Sequence, residues 1–189
     1  FKIALQKVFY AVSVNTIRPE LTGVYCWLTD GVLKLVATDS FRLVEEKVVG
    51  VQGEAQEEDM TKGIIIPLGT LQEVARIIAP ETKEVQLITH ENQVFFNIEG
   101  VEVTSRLING KFPDYEQIIP ASFSDSLEFQ KNDLQRALKI SAGLSSYTSG
   151  EVALICDKEK QEIRLVSRSH DVGENINGIA FENIRGEKT

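Results

Sequence analysis

The residues of this sequence that could act chemically are its carboxylates, two thiols and two imidazoles. A pair of carboxylates does general acid and base work when both converge on one substrate atom with separated pKa values. Asp39 with Glu45 is the pair such a reading selects, and a hydrolase built on it predicts a deep pocket with a strongly shifted carboxylate. Nothing in the sequence makes the two converge. No Gly-x-Ser-x-Gly elbow and no Gly-x-x-x-x-Gly-Lys-Ser/Thr phosphate loop occurs. Cys26 and Cys156 lie 130 positions apart, each within an apolar strand-like run. They are expected to be buried free thiols, because a disulfide or metal site wants closer spacing or more ligands. His90 sits in Thr89-His90-Glu91-Asn92 and His170 in Ser169-His170-Asp171. That is too few ligands for zinc, and neither a metal nor a cofactor is expected.

At 189 residues the chain has room for one large domain or two smaller ones. Hydrophobic residues make up 42% and charged residues 25%, the proportions of an ordinary globular protein rather than a disordered one. No run approaches 18 apolar residues, so no membrane span is expected. The chain opens at Phe1 inside a helical pattern, which reads as a piece of a longer protein. Net charge is −8, from 20 basic and 28 acidic residues, and taken alone it argues against a nucleic-acid binder. The distribution qualifies the total. Acid concentrates in Glu54-Ala55-Gln56-Glu57-Glu58-Asp59, an expected exposed loop, while Lys2, Lys7, Arg76, Lys131, Arg136 and Lys139 fall on expected helices. Those bases also fit ordinary solvated helix faces.

The elements that position these residues repeat. Phe1 to Ser13 is helical, with Ile3, Leu5, Val8, Phe9 and Val12 on one broad apolar face. Strands are expected at Leu21–Leu28, Val32–Ala37 and Phe41–Val49, the first two joined at Thr29-Asp30-Gly31, where Asp-Gly signals a hairpin. Gly63–Pro67 reads as a strand and Leu68–Ile78 as a second helix, stopped by Pro80. Strands follow at Glu84–Thr89, Val94–Ile98 and Val101–Leu107. After the linker Ile119–Ser124 the pattern returns. A strand at Ser126–Gln130 precedes a helix capped by Asn132 or Asp133, with the stripe Leu134, Ala137, Leu138 and Ser141. Strands then run over Val152–Cys156, Ile163–Ser167 and Val172–Phe181. The repeating unit is βαβββ at a period of about 60 residues, too long and too sheet-rich for a helical solenoid. It predicts an α+β architecture, with helices covering one face of antiparallel sheets.

Three motifs carry a resemblance: Arg18-Pro19-Glu20-Leu21-Thr22-Gly23, Ala37-Thr38-Asp39-Ser40-Phe41-Arg42-Leu43, and Ser105-Arg106-Leu107-Ile108-Asn109-Gly110-Lys111-Phe112-Pro113-Asp114-Tyr115. Together they resemble the middle domain of the bacterial sliding clamp, the beta subunit of DNA polymerase III. Residues 1–120 are similar to nearly all of that domain without its opening strand. Residues 121–189 are similar to the first half of the C-terminal domain, through Arg164-Leu165-Val166-Ser167 and Asp171-Val172-Gly173-Glu174. The resemblance implies a DNA clamp fold, with sheets outside and helices lining a central hole. It also implies a non-catalytic, cytoplasmic, nucleoid-associated processivity factor that closes as a homodimer ring around duplex DNA. The polymerase III alpha subunit and the clamp loader are the expected partners, docking through short linear peptides.

For the peptide pocket the resemblance implies Leu21, Thr38, Ser40, Phe41, Arg42, Leu43, Pro113, Gln117 and Ile118. Leu21, Leu43, Pro113 and Ile118 would form apolar walls for leucine and aromatic anchors, and Thr38 and Arg42 would orient the ligand. The facing wall would come from a C-terminal segment outside this sequence. Many members have Gly-His where this chain has Ser40-Phe41, and Arg where it has Gln117, which would alter peptide preference. Read without the resemblance, Leu21, Leu43 and Ile118 are core residues, and Thr38-Asp39-Ser40 is a turn. On that reading Arg42 pairs on the surface with Glu45 or Glu46. For DNA, the resemblance implies weak, sequence-independent phosphate contact by Arg18 in the loop Asn15–Arg18, and by Lys2, Lys7, Arg76, Lys131, Arg136 and Lys139 facing the hole. A β-rich adaptor with no DNA role, and a clamp paralogue that serves other partners, are alternatives.

Overall fold

A computed structural model describes residues 1–52, 62–123, 125–145, 151–169, 173–181 and 183–186. The acidic run Glu54–Asp59, His170, and the Asp171-Val172 part of the last motif lie outside the described residues. The chain divides into two units, Phe1–Asp114 and Tyr115–Thr189.

In the first unit, α1 (Lys2–Val8) runs into a 3-10 turn at Phe9–Ala11. Its buried side is Ala4, Leu5, Val8, Ala11 and Val12. Ile3, expected on that face, is 71% exposed. At about 100° per residue it points roughly 200° away from Leu5, across the helix. Strands β1 (Gly23–Thr29) and β2 (Val32–Thr38) pair antiparallel. Their turn has Asp30 at φ 50° and Gly31 at φ 71°, the double left-handed geometry that a two-residue hairpin matched to strand twist requires. Strand β3 (Leu43–Val48) pairs with β2, and β4 (Ile64–Pro67) with the free side of β1, giving the order β3-β2-β1-β4.

Helix α2 (Leu68–Ile77) starts directly from β4 and buries Leu71, Val74 and Ala75. A second antiparallel sheet follows in the order β5 (Gln86–His90), β6 (Gln93–Ile98), β7 (Val101–Arg106). Both helices pack into one core with Val24, Cys26, Leu35, Ile66, Val94, Phe96 and Ile98. The segment after β7 is tied back to the first sheet. The Ile108 amide donates to the Ile65 carbonyl at 2.9 Å. The Phe112 ring stacks on Tyr25 with centroids 4.8 Å apart. This anchoring positions Pro113.

The second unit holds a 3-10 turn (Glu116–Ile118), then β8 (Asp125–Glu128), α3 (Lys131–Ser145), β9 (Ala153–Asp157), β10 (Glu162–Ser169), β11 (Gly173–Ala180) and β12 (Asn183–Gly186). Its sheets are β11-β10-β9 and β12-β8, and its core is Ala137, Ile163, Leu165, Ile179 and Phe181. Three details differ from the sequence expectation. Helix α3 begins at Lys131, so Asn132 and Asp133 lie inside its first turn, and the Gln130 carbonyl accepts from the Asp133 and Leu134 amides. Cys156 is exposed while Cys26 is buried, because Cys26 packs into the core of the first unit whereas Ala153–Cys156 of β9 are exposed throughout. Strand β12 was not expected, since a short polar Asn-Ile-Arg-Gly carries no alternation of its own and exists by pairing with β8. The βαβββ repeat itself is visible in the helices. Leu5-Gln6-Lys7-Val8, Leu71-Gln72-Glu73-Val74 and Leu134-Gln135-Arg136-Ala137 occupy matching helical positions. Leu5, Val8, Leu71, Val74 and Ala137 are buried.

Candidate functional site

The densest set of expected site residues is the turn between β2 and β3. Thr38 ends β2 and is buried. Its hydroxyl donates to the Arg42 carbonyl at 2.8 Å and accepts the Ser40 N–H at 3.1 Å. Asp39 Oδ1 accepts the Phe41 N–H at 3.0 Å and the Arg42 N–H at 2.9 Å. Asp39 Oδ2 accepts from Arg42 Nε at 2.9 Å. These donors, the Arg42 and Phe41 amides first and the guanidinium next, hold the Asp39 carboxyl down at about 2. Ser40 sits at φ 77°, in the left-handed region. The two side chains at either end of this hydrogen-bond set fix a backbone that a serine does not favour.

This turn presents Phe41 outward, 97% exposed, with Arg42 exposed beside it. The Arg42 guanidinium lies 5.7 Å from the ring centroid of Tyr10, in the 3-10 turn that follows α1. Arg42 pairs with Asp39, not with Glu45 or Glu46 as the sequence suggested. Glu45 takes Lys34 and Lys47, and Glu46 takes Lys7 at 2.7 Å. Asp39, three residues back across a tight turn, is already within reach before the strand begins. The same bonds answer the acid–base reading of Asp39 with Glu45. A carboxyl pushed down by an arginine and two amides is a fixed anion, and Glu45 lies between lysines.

The other expected pocket residues surround different points. Leu43 is half-buried and pairs with Thr38 across the strands. Leu21 closes the 3-10 turn Pro19–Leu21 and is buried, so it backs a surface rather than offering one. Pro113 is half-buried after the anchored Phe112. Gln117 and Ile118 lie in the second unit, both exposed, in the turn Glu116–Ile118. Tyr10 was missed by sequence reasoning. The available signal was a phenol just past the apolar helix face, which nothing in the core requires.

The bases assigned to DNA are mostly engaged within the chain. Lys2 Nζ donates to the Ile78 carbonyl at 2.7 Å, closing the end of α2. Lys7 pairs with Glu46, Arg76 with Glu73 and Arg136 with Asp133. Arg18 donates from Nε to Glu20 Oε1 at 3.0 Å and from Nη1 to Ser40 Oγ at 3.5 Å. That links the loop to the Thr38–Leu43 turn. Lys131 and Lys139 are exposed, with no ion pair among the described residues. Among those residues no group of three or more His, Cys, Asp or Glu could hold a metal, and no helix is long and apolar enough to cross a membrane.

Comparison with known proteins fits this arrangement. A beta sliding clamp of Streptococcus pneumoniae is 31% identical over 98% of this chain and 48% of its own length. The Bacillus subtilis beta sliding clamp is 27% identical over 99% of this chain and 48% of its own. A crystal structure of the DNA polymerase III beta chain from S. pneumoniae superposes with a TM-score of 0.86 at 28% identity, over 98% of this chain and 48% of that one. A sliding clamp from Bartonella birtlesii bound to griselimycin gives 0.80 at 26% identity, over 96% and 49%. The chain thus spans about half the length of the curated relatives it matches. Its α+β arrangement is a DNA clamp fold. The family described as DNA polymerase III beta subunit, central domain, matches residues 1–114, and the chain belongs to it.

Proposed function

We propose that this chain is part of a sliding clamp, a non-catalytic processivity factor that encircles duplex DNA and tethers polymerase III and the clamp loader through short peptides. Residues 1–120 are its middle domain and 121–189 the first half of its C-terminal domain. The division of the chain into units at Asp114 and Tyr115 supports this assignment to within a few residues. The observation that carries the docking role is the Thr38–Leu43 turn. It is locked by Thr38 and Asp39, yet it turns an apolar ring and a cation to solvent. A groove that fixes an extended peptide needs such a combination of an apolar contact and a few oriented polar groups. In the same unit Leu21 backs this surface from within, and Ser40, Leu43 and Pro113 are the other expected contacts, while Gln117 and Ile118 belong to the second unit. That one relative binds griselimycin supports a ligand site on clamps of this family.

A titration of a Gln-Leu-Ser-Leu-Phe peptide, followed by amide chemical shifts, tests this reading even where one wall gives only weak affinity. Shifts gathered on Thr38–Leu43, Leu21 and Pro113 are expected. Saturating shifts confined to other surfaces would refute the placement.

The DNA role rests on Arg18, Lys2, Lys7, Arg76, Lys131, Arg136 and Lys139. Internal pairing of Lys7, Arg76 and Arg136 favours a second reading, a docking module with little DNA contact. Removing the charges of Arg136 and Lys139 should flatten the salt dependence of DNA association, and an unaltered slope would favour the second reading. In a cell this protein would work in the cytoplasm at the nucleoid, as a homodimer.

A further inference from the structure

We propose that Tyr10 is a positioning residue of the docking turn, a shelf that sets the plane of the Arg42 guanidinium and aims its Nη edge at an acceptor oxygen of the bound peptide. The inference rests on the reading of the Thr38–Leu43 turn as the docking site.

Two restraints meet on Arg42 from different directions. Asp39 Oδ2 accepts from Nε at 2.9 Å, which fixes one edge of the guanidinium. The centroid of the Tyr10 ring lies 5.7 Å from Arg42 Cζ, inside the range of about 6 Å at which a cation is drawn to an aromatic face. One hydrogen bond alone leaves the plane free to rotate about that bond. A neighbouring ring face removes that freedom. Among the described residues Nη1 and Nη2 carry no hydrogen bond or ion pair, so the planar fork is left for a ligand. Tyr10 has little structural task of its own. It is 60% exposed, while its neighbours Phe9 and Ala11 pack on or within the core. The contact joins the 3-10 turn that follows α1 to a turn 32 residues later, and so extends the site beyond the Thr38–Leu43 turn itself.

The test combines Tyr10→Leu, Tyr10→Phe and Arg42→Ala, singly and as Tyr10→Leu with Arg42→Ala. The readouts are the Arg42 Nε–H resonance and the affinity for Gln-Leu-Ser-Leu-Phe. Loss of an exposed cation–π contact should weaken binding about two- to fivefold and shift the Nε–H resonance as the ring current disappears. Tyr10→Phe should retain both properties. The Tyr10→Leu penalty should vanish when Arg42 is already alanine, since a merely structural loss would persist there. Unchanged α1 amide shifts in Tyr10→Leu establish that the helix end is intact. Wild-type affinity and an unmoved Nε–H resonance in Tyr10→Leu would overturn the proposal, as would a penalty that survives in the Arg42→Ala background. Should the wild-type protein leave its turn unperturbed by peptide, the docking reading fails. The Nε–H resonance then decides Tyr10 separately, and no movement of it overturns the shelf.

Discussion

Replacing Thr38 with valine asks whether the Thr38–Leu43 turn is held by its own side chains or by the strands around it. The substitution keeps the shape and removes one hydroxyl. That hydroxyl makes two bonds, to the Arg42 carbonyl at 2.8 Å and from the Ser40 N–H at 3.1 Å. Each is worth about 0.5–1.5 kcal/mol net. The Ser40 amide belongs to an exposed residue and can turn to water, and the Arg42 carbonyl keeps a longer bond from the Asp39 N–H at 3.4 Å. Both bonds therefore count toward the lower end, about 1–2 kcal/mol together. For a unit the size of residues 1–114 this lowers the thermal midpoint by roughly 4–10 °C. Scanning calorimetry reads the midpoint, and hydrogen exchange at the Ser40 and Arg42 amides reads the turn directly. Thr38→Ser keeps the hydroxyl and should lose much less. A midpoint within about 1 °C of wild type, with unchanged exchange at Ser40, would show that strand pairing alone sets the turn. The hydroxyl would then be free for ligand, as the sequence reading had it.

The Asp39 carboxylate carries a pH prediction. Its folded pKa lies near 2, below the usual 3.8, so the stability it contributes is present above pH about 4 and lost as pH falls toward 2. The difference in midpoint between wild type and Asp39→Asn should shrink over that window, and a constant difference down to pH 2 would contradict the geometry. A thiol reagent should modify exposed Cys156 in the native protein. Cys26, buried and pushed up to about 12, should react only on unfolding. Two fast-reacting thiols would contradict the core assignment. Gly63→Ala should cost about 1–3 kcal/mol in denaturant unfolding, because Gly63 sits at φ +84° with its added Cβ against the Tyr25 ring. An unaffected unfolding midpoint would mean that the Tyr25–Phe112 stack yields easily.

What the sequence determined by itself was everything set by neighbours within a few residues. Strand-like runs bounded by turn residues located the described strands other than β12, because apolar and β-branched residues favour a pleated surface and turn residues end it. Asp30-Gly31 declared its hairpin, since few residue pairs accept two consecutive left-handed conformations. The recurring order of helix and strand patterns marked a repeat, and three short motifs were enough to suggest the clamp family. Tertiary structure decided what depended on distant partners. Ile3 and Cys156 are both apolar by type, yet the helix face and the strand they fell on were left uncovered by the core. Strand β12 has no alternation of its own and exists only because β8 is there to pair with it. Lys2 closes a helix 76 residues away, Lys7 finds Glu46, and Arg42 settles between Asp39 and Tyr10. A side chain's local sequence fixes its direction along an element. Which charge or ring it then meets depends on how elements far apart in the chain pack together, and periodicity carries no record of that.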